Sequence, residues 1–240
     1  MKSILKKLQD DKHYYGAYGR KYLSNSNIGL LLTNPRDFGK PQEERLPMVQ
    51  GRYFHVSMLE PHKKDDFEIV DASSRNTKIY KEKSQGRLML LRKEKEALDR
   101  AIQCMKDNES LSSEIFSDGV QYEVPMIGEF FGVDFKGKAD IITDDKIIDI
   151  KTSTGIGNFK TKARMYNYDS QAFIYSSMFD KPFEFFVIDK DTLQMKRFTC
   201  SDEFLERGRD KVERAVNVWK RFFGPEATDD VTQYVMNEVL

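Results

Sequence analysis

The chain has 240 residues, and Lys plus Arg and Asp plus Glu each total 39. That length suits one large domain or two small ones, and the charge balance neither announces nor excludes a polyanionic partner, since basic residues can gather on one face. No apolar run approaches the roughly 18–20 residues that span a bilayer, the N-terminus lacks the apolar core of a signal peptide, and Cys104 and Cys200 fit no metal-ligand spacing, which together predict a soluble, intracellular protein with free thiols and no membrane partner.

Residues 1–25 open with a short amphipathic segment and pass into the aromatic stretch His13-Tyr-Tyr-Gly-Ala-Tyr-Gly-Arg20, where His13 reads as a surface side chain. Ser24-Asn-Ser-Asn offers N-caps for a short helix through Leu32, stopped by Asn34-Pro35. A polar loop from Asp37 to Arg45 follows. Leu46 to Leu59 reads as a helix ended by Glu60-Pro61, with Val49, Tyr53 and Val56 on one stripe and Phe54, Met58 and Leu59 close by. His55 falls among these apolar neighbours, and periodicity alone makes it an inert core or boundary residue.

Asp65 to Ser84 is polar and reads as a loop with a short strand at Phe67 to Val70. Gln85 to Lys106 predicts one long helix, with Leu88, Leu91, Leu98, Ile102 and Met105 facing the core. Leu111 to Phe116 adds a helical piece. Strands are predicted at Val120 to Ile127, Glu129 to Phe135, Lys138 to Ile142 and Lys146 to Lys151, with Gly128 and Gly137 as turn residues. Glu123, on the first of these strands, reads equally well as a further acid near a site and as an exposed strand residue.

The last two of these strands form a hairpin around Thr143-Asp144-Asp145. Asp149 and Lys151 share one face of the second strand, while Ile148 and Ile150 take the other. Asp140 lies across the hairpin, and a register that sets it beside Asp149 would bring two carboxylates and an ammonium to one spot. Carboxylates so placed repel unless a cation sits between them, and hard oxygen ligands suit Mg²⁺ or Mn²⁺. A solvated surface hairpin is the competing reading.

Thr152 to Asn158 is a loop without the spacing of a phosphate-binding P-loop. Phe159 to Phe179 is predicted helical and carries Tyr166, Tyr168, Gln171 and Tyr175, the last two on one face. Phe183 to Ile188 and Leu193 to Thr199 form a second hairpin. Ser201 caps a last helix to Phe223, whose buried side is Phe204, Leu205, Val212, Val216 and Trp219. Gly224-Pro225 ends it, and Glu226 to Leu240 reads as an acidic, mobile tail. The pattern is a single α/β domain over 1–240, with a core at about 24–224, an N-terminal extension at 1–23 and the C-terminal tail at 225–240. It predicts a central mixed β-sheet flanked by helices.

Taken in order, these residues resemble the RecB-type branch of the PD-(D/E)xK nuclease superfamily, and within it the phage and prophage exonucleases of the RecE (exodeoxyribonuclease VIII) type. Ser24 to Pro35 resembles the opening Ser-rich helix that runs into a Pro. Gly51-Arg-Tyr-Phe-His-Val-Ser-Met-Leu-Glu-Pro61 resembles the Gly-x-x-x-His-x-x-x-Leu-Glu-Pro helix. Asp140, Asp149 and Lys151 fall on the catalytic Asp, Asp and Lys, and Gln171-Ala-Phe-Ile-Tyr175 on the Gln-x-x-x-Tyr helix. The resemblance implies a restriction-endonuclease-like core, and it reverses the inert reading of His55. It also implies that His55, Asp140, Asp149 and the backbone carbonyl of Ile150 bind Mg²⁺, for which Mn²⁺ substitutes. Lys151 would orient or deprotonate the attacking water. Gln171 and Tyr175 would contact DNA and buttress the site, with Glu123 as an outer or second-metal carboxylate. The family's iron–sulfur members carry four cysteines; this chain has two, so no iron–sulfur cluster is expected.

The implied activity is exonucleolytic hydrolysis from double-stranded DNA ends with 5′ to 3′ polarity, in phage-type recombination. A single-strand annealing recombinase and a homo-oligomer are the implied partners, and the implied location is the cytoplasm, that of the host cell if phage-encoded. The alternatives are a structure- or single-strand-specific endonuclease using the same site and a catalytically inactive DNA-binding module.

Overall fold

A computed structural model describes residues 2–236. In chain order the elements are α1 (Lys2–Leu8), α2 (Asp11–Tyr15), α3 (Asn25–Thr33), α4 (Leu46–Leu59), β1 (Ile69–Val70), α5 (Lys78–Ser84), β2 (Leu90–Leu91), α6 (Arg92–Asp107), α7 (Glu109–Ile115), β3 (Gln121–Phe130), β4 (Val133–Ile142), β5 (Ile147–Ser153), α8 (Phe159–Met165), α9 (Tyr168–Phe179), β6 (Phe183–Asp189), β7 (Met195–Thr199) and α10 (Asp202–Phe222). Strands β3 to β7 form one sheet in sequence order; β5 and β6 run parallel and the other neighbours antiparallel. The parallel step needs a crossover, and α8 and α9 supply it.

Side-chain alternation along β5 decides how helices cover the sheet. Ile148 and Ile150 join Ile141, Phe186 and Ile188 in a core closed by Tyr53, Phe54 and Met58 of α4 and Leu98, Ile102 and Met105 of α6. Ile147, with Ala139, Phe185 and Val187, packs on the other side against Phe159, Ala163 and Ala172 of α8 and α9. A third cluster joins α3, the far end of the β3–β4 hairpin, α9 and α10 through Ile28, Phe135, Ile174 and Val216. The fold class is therefore α/β, a mixed sheet between two helical layers. Among the described residues no helix is long and apolar enough to cross a membrane.

Five predicted features are corrected. Residues 85–106 are not one helix. Gln85 and Gly86 take positive φ of 47° and 84°, and the dense apolar run that follows forms β2 beside β1. Helix α6 starts only after Leu91, whose N–H is received by Glu94 Oε2 at 2.9 Å. The loop predicted at 65–84 ends in helix α5, capped by the Thr77 side chain.

Gly128 and Gly137 are not turns but mid-strand residues, paired with Phe135 and Met126. The turn is Phe131-Gly132, with φ of 52° and 77°, the left-handed pair that a two-residue hairpin demands. A Cβ on Gly137 would meet Met178 Sδ at 3.1 Å and Tyr175 Cζ at 3.3 Å, so this glycine lets α9 close on the sheet. The helix predicted over 159–179 breaks at Asn167, which is left-handed with φ of 57°. Finally, the described part of the tail is not loose: Arg36 Nη2 donates to Thr232 O at 2.6 Å, and the Tyr234 ring packs edge-on against Phe222. Residues 237–240 lie outside the described residues.

Candidate active site

The site forms where the sheet loses regularity. Pairs Ile142↔Ile147 and Ile141↔Ile148 are the extent of the β4–β5 ladder, and one further step of that register sets Asp140 across from Asp149. The ladder does not take that step; Asp140 Oδ2 instead accepts the Ile150 N–H at 3.2 Å. On the other side, Tyr122↔Ile141 and Val124↔Ala139 bracket Glu123 and Asp140, the position that the β3–β4 ladder skips. Glu123, Asp140 and Asp149 therefore stand at one level on three adjacent strands.

Helix α4 adds the imidazole. His55 Nδ1 lies 3.2 Å from Asp140 Oδ2. One ligand atom each from His55, Glu123 and Asp140 lie within 4.8 Å of one another. Glu123 carries φ of 50°, a conformation uncommon for a residue with a Cβ and typical of strain held at a site. Its carbonyl accepts from Gln9 Nε2 at 3.1 Å, so the N-terminal segment braces the strained residue.

Asp149 stands outside that trio. Its side chain is 3% exposed, and Lys151 Nζ lies 2.5 Å from Oδ2. Gln171 Nε2 of α9 donates to Oδ1 at 2.6 Å. Lys151 also sits over the Tyr168 ring at 5.1 Å. Tyr175, one turn after Gln171, uses its hydroxyl to accept the Lys138 N–H at 3.1 Å.

Charges in this small volume reset one another. Burial pushes the Glu123 carboxyl up to about 8, with the Asp140 charge adding to it. Burial also lifts Asp149, to about 6, against the pull of Lys151 and with a push from Asp140. Asp140 goes the other way: burial raises it, but the His55 charge and hydrogen bond, Lys151 and the Ile150 N–H outweigh that and hold it below the usual carboxylate range. His55 is raised because Asp140 more than offsets burial. Lys151 is raised as well, since Asp149 and Asp140 overcome the cost of burying its ammonium. Two acids, Glu123 and Asp149, that burial and the Asp140 charge hold above their ordinary range, beside an imidazole, are a donor set that a hard divalent cation would relieve.

The structure thus brings together His55, Glu123, Asp140, Asp149, Lys151 and Gln171, and ties Ile150 in by its N–H. Sequence reasoning did not single out Lys136 and Lys138, which lie on β4 just before Asp140 and are 7% and 9% exposed. Nor did it single out Asp11, which reaches Lys138 Nζ at 2.6 Å. The available signal was a pair of lysines on one face of an otherwise apolar strand.

A family model described as a PDDEXK-like domain of unknown function (DUF3799) matches residues 34–228. A candidate exonuclease from Eubacterium rectale superposes with a TM-score of 0.67 at 16% identity, covering 96% of this chain and 95% of that one. An alkaline exonuclease from Laribacter hongkongensis superposes with a TM-score of 0.39 at 14% identity, over 82% of this chain and 87% of that one. At such identities the first likeness is one of fold. No curated protein matches the chain.

Proposed function

The chain belongs to the PDDEXK-like family DUF3799, and from that membership and the site's geometry we propose that it is a metal-dependent exonuclease hydrolysing DNA from duplex ends. The observation that carries this reading is the convergence of His55, Glu123 and Asp140 within ligand distance of one another beside the Asp149–Lys151 ion pair. Oxygen donors, one imidazole and partial exposure fit an ion such as Mg²⁺ or Mn²⁺ better than a closed structural metal. His55, Glu123 and Asp140 would hold the ion, with Asp149 adjoining. When bound it would polarise the scissile phosphoryl group and acidify the attacking water.

The chain's own groups supply the rest. The raised Lys151 ammonium stays protonated at neutral pH, so its role is to orient the water and offset the charge developing on the phosphoryl oxygens, not to remove a proton. Asp149, gripped by Lys151 on one oxygen and Gln171 on the other, would add its negative charge beside the ion and hold Lys151 toward the attacking water. Gln171 fixes the direction of Asp149, and Tyr175 secures β4. We read residues 1–240 as one nuclease domain acting 5′ to 3′ in the cytoplasm. The resemblance to RecE-type exonucleases supports a place in recombination with a single-strand annealing protein.

The test is digestion of linear and covalently closed duplex DNA with Mg²⁺, alongside EDTA and Lys151→Ala. Loss of linear DNA alone, abolished by both controls, is the expected result. Cutting of closed circles would make the protein an endonuclease, and absence of activity on every DNA would overturn the nuclease reading.

A further inference from the structure

Beyond the metal-ligating trio, β4 buries a second charged cluster. Lys136 and Lys138 share one face of the strand, two residues apart, and both are more than nine-tenths buried. Asp11 of α2 joins Lys138 to a third ammonium: Oδ1 lies 2.6 Å from Lys138 Nζ and Oδ2 lies 3.1 Å from Lys63 Nζ. Lys63 is also paired with Glu60 at 2.5 Å. Lys136 Nζ donates to the Tyr14 carbonyl and lies 4.3 Å from the Tyr14 ring centroid, and among the described residues it has no carboxylate partner. The cluster therefore holds more positive charge than its neighbours neutralise.

An ion pair that merely anchored α2 would be served by an exposed lysine. Burying two ammonium groups side by side is unfavourable in itself unless negative charge comes to pair them. The anion bound here is a carboxylate whose two oxygens bridge two lysines, as two oxygens of a phosphate would. Its residue is half exposed and sits on a five-residue helix, whereas the lysines belong to the sheet and to the turn after α4. Lys138 is two residues from Asp140 along β4, so a strand whose scissile phosphate lay at the metal ligands would bring a neighbouring phosphate to these lysines.

We propose that Lys136, Lys138 and Lys63 form a binding subsite for a backbone phosphate of the nucleic-acid strand, and that Asp11 occupies this subsite until the strand displaces it. This rests on the nuclease reading. The carboxylate competes with DNA for the lysines, so removing it strengthens binding while removing a lysine weakens it. A purely structural salt bridge gives the opposite result for Asp11, because its loss would loosen α2 and the Gln9 brace on Glu123.

The experiment is fluorescence anisotropy of a labelled duplex with a single-stranded tail, in EDTA to prevent cleavage, between 50 and 200 mM salt. Wild type is compared with Asp11→Ala, Lys136→Met, Lys138→Met and Lys138→Arg, with circular dichroism as the check on folding. Expected are three- to tenfold tighter binding by Asp11→Ala, weaker binding by either methionine variant with the salt slope reduced by about 0.7–0.9, and near-native binding by Lys138→Arg. An unchanged or weakened Asp11→Ala, or folded methionine variants that keep the native salt slope, would overturn the subsite. Should a methionine variant not fold, Asp11→Ala decides alone. If wild type cuts DNA in a Lys151-dependent way while these outcomes fail, the subsite alone falls; if wild type neither binds nor cuts nucleic acid, the nuclease reading falls with it.

Discussion

Glu123 and Asp140 face each other across β3 and β4 at the position their ladder skips, and Glu123 holds a left-handed backbone there. Burial and the Asp140 charge lift its carboxyl to about 8. The sign of the consequence follows from linkage. Between the ordinary value of 4.5 and about 8, the folded chain holds a proton that the unfolded chain has released, so metal-free stability falls as pH rises through that window. Glu123→Gln should flatten this decline and raise the metal-free Tm at pH 8 by a few degrees. The same variant should lose most of the Tm increase that Mn²⁺ or Mg²⁺ gives the wild type, because an amide is a poorer ligand than a carboxylate. Differential scanning fluorimetry against pH, with and without metal, measures both. A native metal response in Glu123→Gln would remove this residue from the ligand set.

Gln171 reaches Asp149 from α9 with a 2.6 Å hydrogen bond, while the other oxygen faces Lys151. Partners that aim a catalytic carboxylate typically contribute 10- to 100-fold to activity. Gln171→Ala should therefore lower kcat by about that factor, with KM nearly unchanged. Gln171→Asn, one methylene short, should behave like alanine. Steady-state digestion of linear duplex checks this, and a change confined to KM would instead place Gln171 on the DNA.

Lys136 titrates in the other direction. Burial, then the neighbouring charges of Lys138 and Arg20, push its ammonium down to about 8. A base depressed in the folded state binds fewer protons there than when unfolded, so stability rises with pH between about 8 and 10.5. Lys136→Met should remove that rise and stabilise the chain at pH 7 by about 1–2 kcal/mol, less than the full shift implies because methionine gives up the ammonium's hydrogen bond to the Tyr14 carbonyl and its contact with the Tyr14 ring. Urea unfolding at pH 7 and pH 10 reads the difference. The same variant should bind DNA more weakly, a stability–function exchange typical of sites.

Much of this architecture is legible in the sequence where local chemistry decides it. Helix α4 runs from Leu46 to Leu59 as read, because Pro47 and the Glu60-Pro61 step mark its ends. Helix α10 follows its capping serine, Ser201. The acidic and basic residues of the β4–β5 hairpin stand out because charges inside an apolar pattern are conspicuous. What escaped depends on contacts far apart in the chain. Gly128 and Gly137 look like turn residues, yet the reason for them is the close approach of α9. Glu123 reads equally well in the sequence as a site acid and as an exposed strand residue, and what separates the two is the register that sets it against Asp140 with its left-handed backbone. Asp11 meets Lys138 across 127 positions, and no local pattern announces such a pair.

Gly208 links the packing of the last helix to the chemistry. It is buried on α10, and a Cβ built there would lie 2.1 Å from the carbonyl oxygen of Asp169 and 2.9 Å from the Ser170 nitrogen. Both contacts are backbone atoms of the first turn of α9, so no side chain can swing aside to make room. That turn is held further by Lys211 Nζ, which lies 2.9 Å from Asp169 Oδ1 and fixes α10 against α9. Gly208→Ala must therefore push the helices apart or unwind the start of α9. Overpacking of this kind costs about 1–3 kcal/mol, and more where the backbone cannot yield; the upper end is expected here. Gln171 and Tyr175 lie on the same helix within two turns of the clash, so the displacement should carry them away from Asp149 and β4. The expected outcome is a lower urea midpoint together with a kcat loss at temperatures where the variant is still folded. Gly51→Ala, on α4 where a Cβ meets nothing within 4 Å, serves as the control and should leave stability unchanged or slightly increased. A destabilised Gly208→Ala with native kcat would mean that the α9–α10 crossing supports the fold without setting the position of Gln171.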